Sequence, residues 1–68
     1  MTINEIEQQL RSKGKVTCTL VQFEDHVASH LVDIAEKLAN KGELELSWKA
    51  LAEVSRLSEA LRSRLLLY

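Results

Sequence analysis

Residues 20–41, LVQFEDHVASHLVDIAEKLANK, decide the fold because they carry the longest helical pattern in the chain. Large apolar residues recur there at spacings of three and four, namely Leu20, Phe23, Val27, Leu31, Ile34 and Leu38. A second stripe of mostly small residues runs beside them, namely Val21, Ala28, Val32, Ala35 and Ala39. The two stripes cover about half of the helix circumference, more than the ~100° that one neighbouring helix requires. We therefore expect a helix over about residues 20–41 that packs against two neighbours.

The stretch before this helix, residues 15–20, KVTCTL, has two interpretations. One interpretation makes Thr17 or Thr19 an N-cap, and Thr19 with Gln22 has the T-x-x-Q spacing of a capping box. The alternation of apolar residues with threonine is also typical of a strand. Because the chain contains no second candidate strand, a strand here would have to pair with its twin across a dimer axis. We favour the N-cap.

Gly42 is expected to end the second helix in the left-handed conformation. The residues that follow it predict a third helix. Ser47 is the expected N-cap, with Leu46 and Leu51 as a hydrophobic staple, so the helix should span about residues 48–67. Its apolar face contains Leu51, Val54, Leu57, Leu61, Leu65 and Tyr68. Two helices of about 30 Å joined by a short link form an antiparallel hairpin.

The N-terminal residues predict a short helix over about residues 3–13. Thr2 and Glu5 form a capping box, and Gly14 follows as the C-terminal stop. Ile3, Ile6 and Leu10 share one stripe. Because three turns are marginal in isolation, this helix must dock on the hairpin or fray.

The size of the chain favours a dimer. Its 68 residues form one domain, and the single Cys18 cannot form a disulfide within the chain. A lone core of this size supplies no more than about 3–5 kcal/mol, so small proteins often add a second subunit. We expect an all-α fold, a short N-terminal helix plus a long helical hairpin, that dimerises into a four-helix bundle. The predicted dimer interface comprises Val21, Ala28, Val32, Ala35, Leu57, Leu61, Leu65 and Leu66.

The charge balance and the hydropathy pattern exclude several classes. Nine Lys and Arg residues against ten Asp and Glu residues give a net charge of −1, so there is no global attraction to nucleic acid or to an anionic membrane. No basic and apolar leader begins the chain, and no stretch approaches the ~18 apolar residues of a membrane span. The sequence predicts a cytoplasmic location.

Candidate catalytic and metal-binding residues are few. His26, His30 and Asp33 have a spacing that suits metal ligands, but Val27 stands where a metalloprotease motif has glutamate. Histidines that flank an apolar stripe are usually boundary residues, and Cys18 is expected to be a small buried hydrophobe. Both glycines lie at helix ends, so no phosphate-binding loop is possible. We expect no enzyme activity, metal or cofactor.

A DNA-binding role is the alternative function. If residues 15–20 form a strand, the order of strand, helix, glycine-containing turn and helix over residues 15–66 resembles the ribbon-helix-helix family of dimeric transcriptional regulators. The resemblance implies that Lys15, Thr17 and Thr19 enter the major groove. However, phosphate binding requires a basic stripe, and the following helix is acidic. Its acidic residues are Glu24, Asp25, Asp33 and Glu36.

The favoured function is that of a protein-interaction module. The size, the opening MTINEIEQQL and the hairpin pattern are similar to small phage-encoded quorum-sensing anti-activators. This resemblance implies a homodimer that binds and inhibits a host regulatory protein, such as a transcription factor, by steric blockade. Tryptophan and arginine dominate interface energies. The predicted partner-binding residues are therefore Leu44, Trp48, Arg62, Arg64 and Tyr68.

Overall fold

Residues 1–66 form three helices. The computed structural model describes residues 1–66, with side chains for residues 1–63. Helix α1 is Ile3–Lys13. Helix α2 covers residues 20–40 and has three parts, Leu20–Gln22, a π-helical turn Phe23–Val27, and Ala28–Asn40. Helix α3 is Leu44–Leu66. The described residues contain no strand, so the predicted all-α class is confirmed.

Helix α1 begins and ends where its sequence signals predict. The Thr2 hydroxyl accepts a hydrogen bond from the Glu5 N–H at 3.2 Å, and the Glu5 carboxylate accepts one from the Thr2 N–H at 3.3 Å. Gly14 ends the helix with a φ of 71°, and its N–H donates to the Leu10 carbonyl. Ile6 and Leu10 are buried beneath this helix. The apolar stripe therefore docks α1 on the hairpin.

Helix α2 begins at the predicted capping box. The Thr19 hydroxyl accepts from the Gln22 N–H at 3.2 Å, and the Gln22 side chain accepts from the Thr19 N–H at 3.0 Å. The N–H groups of Val16 and Thr17 donate to the side chains of Glu53 and Gln9. The N–H groups of Val16, Thr17 and Thr19 are thus bound by side chains of the same chain. The N-cap interpretation is confirmed, and the strand interpretation is wrong for the described residues.

A Schellman motif ends α2 at Asn40, one residue before the predicted end. Gly42 adopts the left-handed conformation, with a φ of 85°. The Glu43 N–H donates to the Leu38 carbonyl at 2.9 Å, and the Gly42 N–H donates to the Ala39 carbonyl at 3.1 Å. These bonds satisfy carbonyl groups that the helix end would otherwise leave free.

Helix α3 begins four residues earlier than predicted, at Leu44 rather than Trp48. The Glu43 carbonyl accepts the Ser47 N–H at 3.0 Å, which places Glu43 at the N-cap position. Ser47 lies inside the helix, where its buried hydroxyl donates to the Ala35 carbonyl of α2 at 2.7 Å. The predicted cap and hydrophobic staple at this serine were therefore wrong. The link between α2 and α3 shortens to residues 41–43.

The predicted antiparallel hairpin is confirmed, and α1 packs across it in contact with both α2 and α3. The bond between Ser47 and Ala35 fixes the register of the two long helices. One continuous core joins all three helices and the connection after α1. Its buried members are Ile6, Leu10, Val16, Phe23, Val27, Leu31, Ile34, Ala35, Leu38, Ala50, Leu57 and Leu61. The two neighbours expected for α2 are thus α1 and α3 of the same chain.

Candidate protein-interaction face

One side of the hairpin is covered by α1 and by the connection that follows it. On α2, the Lys37 ammonium lies 3.5 Å from the Glu7 carboxylate of α1. On α3, Glu53 and Arg56 both hydrogen-bond the backbone of Val16. These contacts fix which direction around each long helix points toward α1. We call this the covered side.

The opposite side of the hairpin is open. Val32 lies five residues before Lys37, which is about 140° around the helix, and Leu51 lies about 160° from Glu53 on α3. Trp48 is likewise about 140° from Glu53. Of the six large apolar side chains exposed among residues 1–63, all but Ile3 lie on α2 or α3. We define the open face by these five residues: Val21, Val32, Leu44, Trp48 and Leu51.

The centre of the open face is a short apolar row on α3. Trp48 is 75% exposed, Leu44 is 61% exposed and Leu51 is 49% exposed. Positions separated by three, four and seven residues share one side of a helix, so these side chains adjoin one another. Scattered single apolar residues are normal on a surface, but a contiguous group is typical of an interaction site.

The α2 edge of the open face has low relief. Ala28 is half-buried and Ala35 is buried, so small side chains line this helix where it meets α3. Val32 stands above them and is 47% exposed. Small residues between two helices allow another helix to approach closely. The open face therefore has small side chains at its α2 edge and the exposed Trp48 on its α3 side.

Four exposed carboxylates lie on α2, and they belong to Glu24, Asp25, Asp33 and Glu36. Among the described side chains, the one ion-pair contact of this group joins Asp25 to the His26 imidazole at 3.5 Å. Lys37 is the one basic residue within residues 20–40 other than histidine, and it is turned to Glu7 on the covered side. The outer surface of α2 is therefore acidic, although the whole chain is nearly neutral.

The structure brings two of the predicted partner-binding residues together. Leu44 and Trp48 adjoin on the open face. Arg62 is exposed at the other end of the hairpin, where it lines a shallow depression with Glu24 and Leu61. The side chains of Arg64 and Tyr68 lie outside the described residues. Partner binding by this set stays a prediction.

The predicted dimer-interface residues divide into two groups. Val21 and Val32 are exposed on the open face, and Ala28 is half-buried beside them. Ala35, Leu57 and Leu61 are buried within the single chain, so they need no second copy to cover them. The physical reason is that α1 and the connection after it supply the second neighbour. The side chains of Leu65 and Leu66 lie outside the described residues.

The core-facing side of α3 is rotated relative to the prediction. Leu51 belongs to the predicted apolar face but is half exposed, whereas Glu53, which lies outside that predicted face, is 4% exposed. The observed buried stripe contains Ser47, Ala50, Glu53, Leu57 and Leu61. The spacings of three and four between these residues are visible in the sequence. However, Ser47 and Glu53 are polar, so the stripe does not stand out as an apolar one. The rotation turns Leu51 and Trp48 outward together.

Glu53 has a structural role that the sequence pattern did not predict. Its carboxylate accepts hydrogen bonds from the Val16 N–H and from the Arg56 guanidinium, and Arg56 also donates to the Val16 carbonyl at 2.9 Å. Burial raises the pKa of the Glu53 carboxyl, but the bonds from Arg56 and Val16 outweigh it, so its pKa lies below the ordinary value. This trio fastens the connection after α1 to α3.

The candidate chemical residues form no catalytic arrangement within the described part of the chain. The rings of His26 and His30 meet edge to face with centroids 5.6 Å apart. Residues whose side chains are described include no cluster of three or more potential metal ligands. Burial raises the pKa of the half-buried Cys18 thiol, and Arg56 only partly opposes this shift. This thiol is therefore a poor nucleophile at neutral pH.

No described helix is long and apolar enough to cross a membrane. Comparison of the chain with protein-family models, with curated proteins and with solved structures finds no match. Function must therefore be inferred from the geometry of the chain itself, above all from its open face.

Proposed function

We propose that this chain is a protein-interaction module that forms a homodimer when free, and that it binds and inhibits a host regulatory protein, such as a transcription factor, through its open face. The observation that carries the proposal is Trp48, which is 75% exposed between Leu44 and Leu51. Tryptophan side chains are the most frequent binding hot spots, and burial of apolar area yields about 25 cal/mol per Å². A partner that covers this row gains both contributions.

The mechanism of inhibition is steric. The row of Leu44, Trp48 and Leu51 lies on a long helix whose other side is packed into the core, so it meets a partner as a rigid surface. A rigid surface loses little conformational entropy when it binds. A regulator whose own functional surface docks here is blocked without any chemical step.

The homodimeric part of the proposal uses the same open face. If a second copy places its open face on the first about a two-fold axis, the two hairpins form a four-helix bundle. The small, half-buried Ala28 permits this close approach. Because one face serves both purposes, the regulator and the second copy exclude each other. The regulator therefore displaces one subunit when it binds.

The ribbon-helix-helix alternative receives no support from the connection between α1 and α2. Pairing with a twin strand needs free backbone groups, but the N–H groups of Val16, Thr17 and Thr19 already donate to side chains of the same chain. Lys15 and Thr17 are exposed, yet the acidic surface of α2 adjoins them in sequence. Direct DNA binding is therefore the less favoured function, and the affinity-capture experiment below distinguishes it from protein binding.

The test is affinity capture with matched variants. The wild-type chain, Trp48→Gln and Lys49→Gln are immobilised and exposed to nuclease-treated bacterial lysate. Lys49 is the control because it is exposed next to Trp48 but points about 100° away. We expect a stoichiometric regulatory protein on wild type and Lys49→Gln, and at least about tenfold less on Trp48→Gln.

Circular dichroism and thermal unfolding should be the same for all three proteins, because Trp48 contributes little to the core. Equal capture by Trp48→Gln would overturn the proposal. So would capture that nuclease treatment abolishes, since the bound species would then be a nucleic acid.

A further inference from the structure

The α2 edge of the open face carries carboxylates beside its apolar residues. Asp25 lies four residues after Val21, and Glu36 lies four residues after Val32. Side chains four residues apart on a helix are neighbours. Glu24 lines a shallow depression together with Val21 and Asp25. We call Glu24, Asp25 and Glu36 the acidic rim.

The acidic rim differs from Glu7, Glu43 and Glu53 in its pairing. Toward the covered side, Glu7 contacts Arg11 and Lys37, and Glu53 is bound by Arg56. At the turn between α2 and α3, Glu43 is paired with Arg11 at 3.1 Å.

Among the described side chains, neither Glu24 nor Glu36 has a cation within 4.0 Å. Asp25 contacts only the His26 imidazole, at 3.5 Å. The exposed Glu45 and Glu59 also have no Lys or Arg partner among the described side chains, so what distinguishes the acidic rim is its position beside apolar residues of the open face.

We propose that the open face binds an amphipathic helix whose polar side is basic. The inference rests on the proposed function and specifies the chemistry of its partner. Apolar residues of such a helix, spaced at three and four, would pack against Trp48, Leu51 and Val32. Lysine or arginine residues flanking them would reach the acidic rim. A basic helix is also what many DNA-binding regulators present to the major groove.

A second copy of this chain fits the charge less well. It matches the apolar part of the face, but it brings its own acidic rim with it, including Asp25 and Glu36. Like charges juxtaposed across an interface oppose association and select against that partner. A basic helix avoids this repulsion and is therefore the better electrostatic match for the open face.

The test uses two synthetic helical peptides of about 18 residues with identical leucine positions. One has lysine on its polar side and the other has glutamate. Binding to the full chain is followed by fluorescence anisotropy of a dye on the peptide. We expect the lysine peptide to bind at least about tenfold more tightly at low salt, and to lose several-fold in affinity when salt rises to about 0.5 M. The emission of Trp48, the one tryptophan, should shift to shorter wavelength on binding.

Matched variants test which carboxylates cause the preference for the lysine peptide. Glu36→Gln should weaken the lysine peptide about two- to fivefold, and the double variant with Asp25→Asn should weaken it further. Asp33→Asn is the control, since it removes the same charge from the same helix but lies about 100° from Val32. We expect the control to change the affinity by less than about twofold, because salt screens an exposed charge that does not contact the peptide.

Equal binding of both peptides, no binding of either, or equal effects of Glu36→Gln and Asp33→Asn would overturn this inference. Such a failure is separable from failure of the proposed function. If Trp48→Gln still abolishes capture of a regulator while salt and Glu36→Gln leave it unchanged, the interaction face stands and the basic helix does not.

Discussion

At the scale of single residues, Glu53 shows how a charged group becomes part of the core. The connection over residues 14–19 has no helix or strand of its own, so its backbone groups need other partners. Glu53 accepts the Val16 N–H, and Arg56 donates to the Val16 carbonyl. The pairing with Arg56 keeps the buried carboxylate ionised. Local pattern could not predict this role, because Val16 lies 37 positions from Glu53.

The first prediction follows from this trio. Glu53→Gln should lower the free energy of unfolding by about 1–3 kcal/mol at pH 7, because Arg56 loses its ionised partner in a mostly buried site. Urea denaturation measures the change. Glu59→Gln, an exposed glutamate on the same helix, should change it by less than about 0.5 kcal/mol. A loss as small for Glu53→Gln as for the control would contradict the assignment.

The effect of Glu53→Gln on stability should depend on pH, and the lowered pKa of Glu53 sets the direction of that dependence. The pKa of Glu53 is lowered in the folded protein, so its contribution is present above the ordinary glutamate pKa of about 4.3 and is lost as pH falls through the lower folded value. The stability difference between wild type and Glu53→Gln should therefore shrink as the pH falls from 7 to about 3. A difference that stays constant over this range would exclude the linkage.

At the scale of helices, signals that act within four residues predicted the structure well. The capping boxes at Thr2 and Thr19 and the glycines at 14 and 42 set the observed ends of α1 and the observed limits of α2 to within one residue. All of their hydrogen-bonding partners are local. The π-helical turn Phe23–Val27 was not predictable, because apolar residues four apart suit both an α-helix and a π-helix.

The start of α3 could not be predicted because tertiary contacts decide it. Ser47 has the side chain of an N-cap, but its hydroxyl binds the Ala35 carbonyl of α2 instead. Glu43 takes the N-cap position and is held there by two hydrogen bonds from Arg11 of α1. Both contacts join residues distant in sequence. Because the predicted start of α3 was four residues too late, the prediction also missed the rotation of the helix that exposes Leu51.

The second prediction separates the two starting points of α3. At an N-cap, glycine is nearly as good as serine while alanine costs about 1 kcal/mol. Inside a helix the order reverses, and glycine costs about 1 kcal/mol more than alanine. Because Ser47 lies inside α3, Ser47→Ala should be more stable than Ser47→Gly by about 1 kcal/mol in thermal or urea unfolding. Ser55 is exposed inside α3, so Ser55→Ala and Ser55→Gly give the reference difference for a position within the helix. A higher stability of Ser47→Gly than of Ser47→Ala would instead indicate that the helix starts at Trp48.

At the scale of the whole molecule, the hairpin has two unlike sides. The side toward α1 is packed and its glutamates are paired, whereas the open side exposes Trp48 and leaves the acidic rim without a close basic partner among the described side chains. The wide apolar surface of α2 led us to expect a second copy, but α1 and α3 account for most of it. The sequence predicted three helices and their order. It could not predict which side stays open, because that depends on where α1 docks and on the rotation of α3.

The last prediction tests whether a second copy covers the open face. Association stabilises the folded state by mass action, so the Tm of the wild-type chain should rise by several degrees over a roughly hundredfold range of concentration. Leu51→Lys should remove this dependence, because it buries a charge in the proposed interface. The Tm of this variant at the lowest concentration should stay near that of wild type, since Leu51 is half exposed and lysine is a good helix former.

Gln8→Lys provides the control, because it adds the same charge on the exposed surface of α1 and should keep the wild-type dependence. Sedimentation of the three proteins gives an independent measure of mass. A wild-type Tm that does not vary with concentration, together with a monomeric mass, would remove the second copy from the proposal. Capture of a regulator through Trp48 would then be the remaining role of the open face, because a monomer leaves that row of apolar side chains in water until a partner binds.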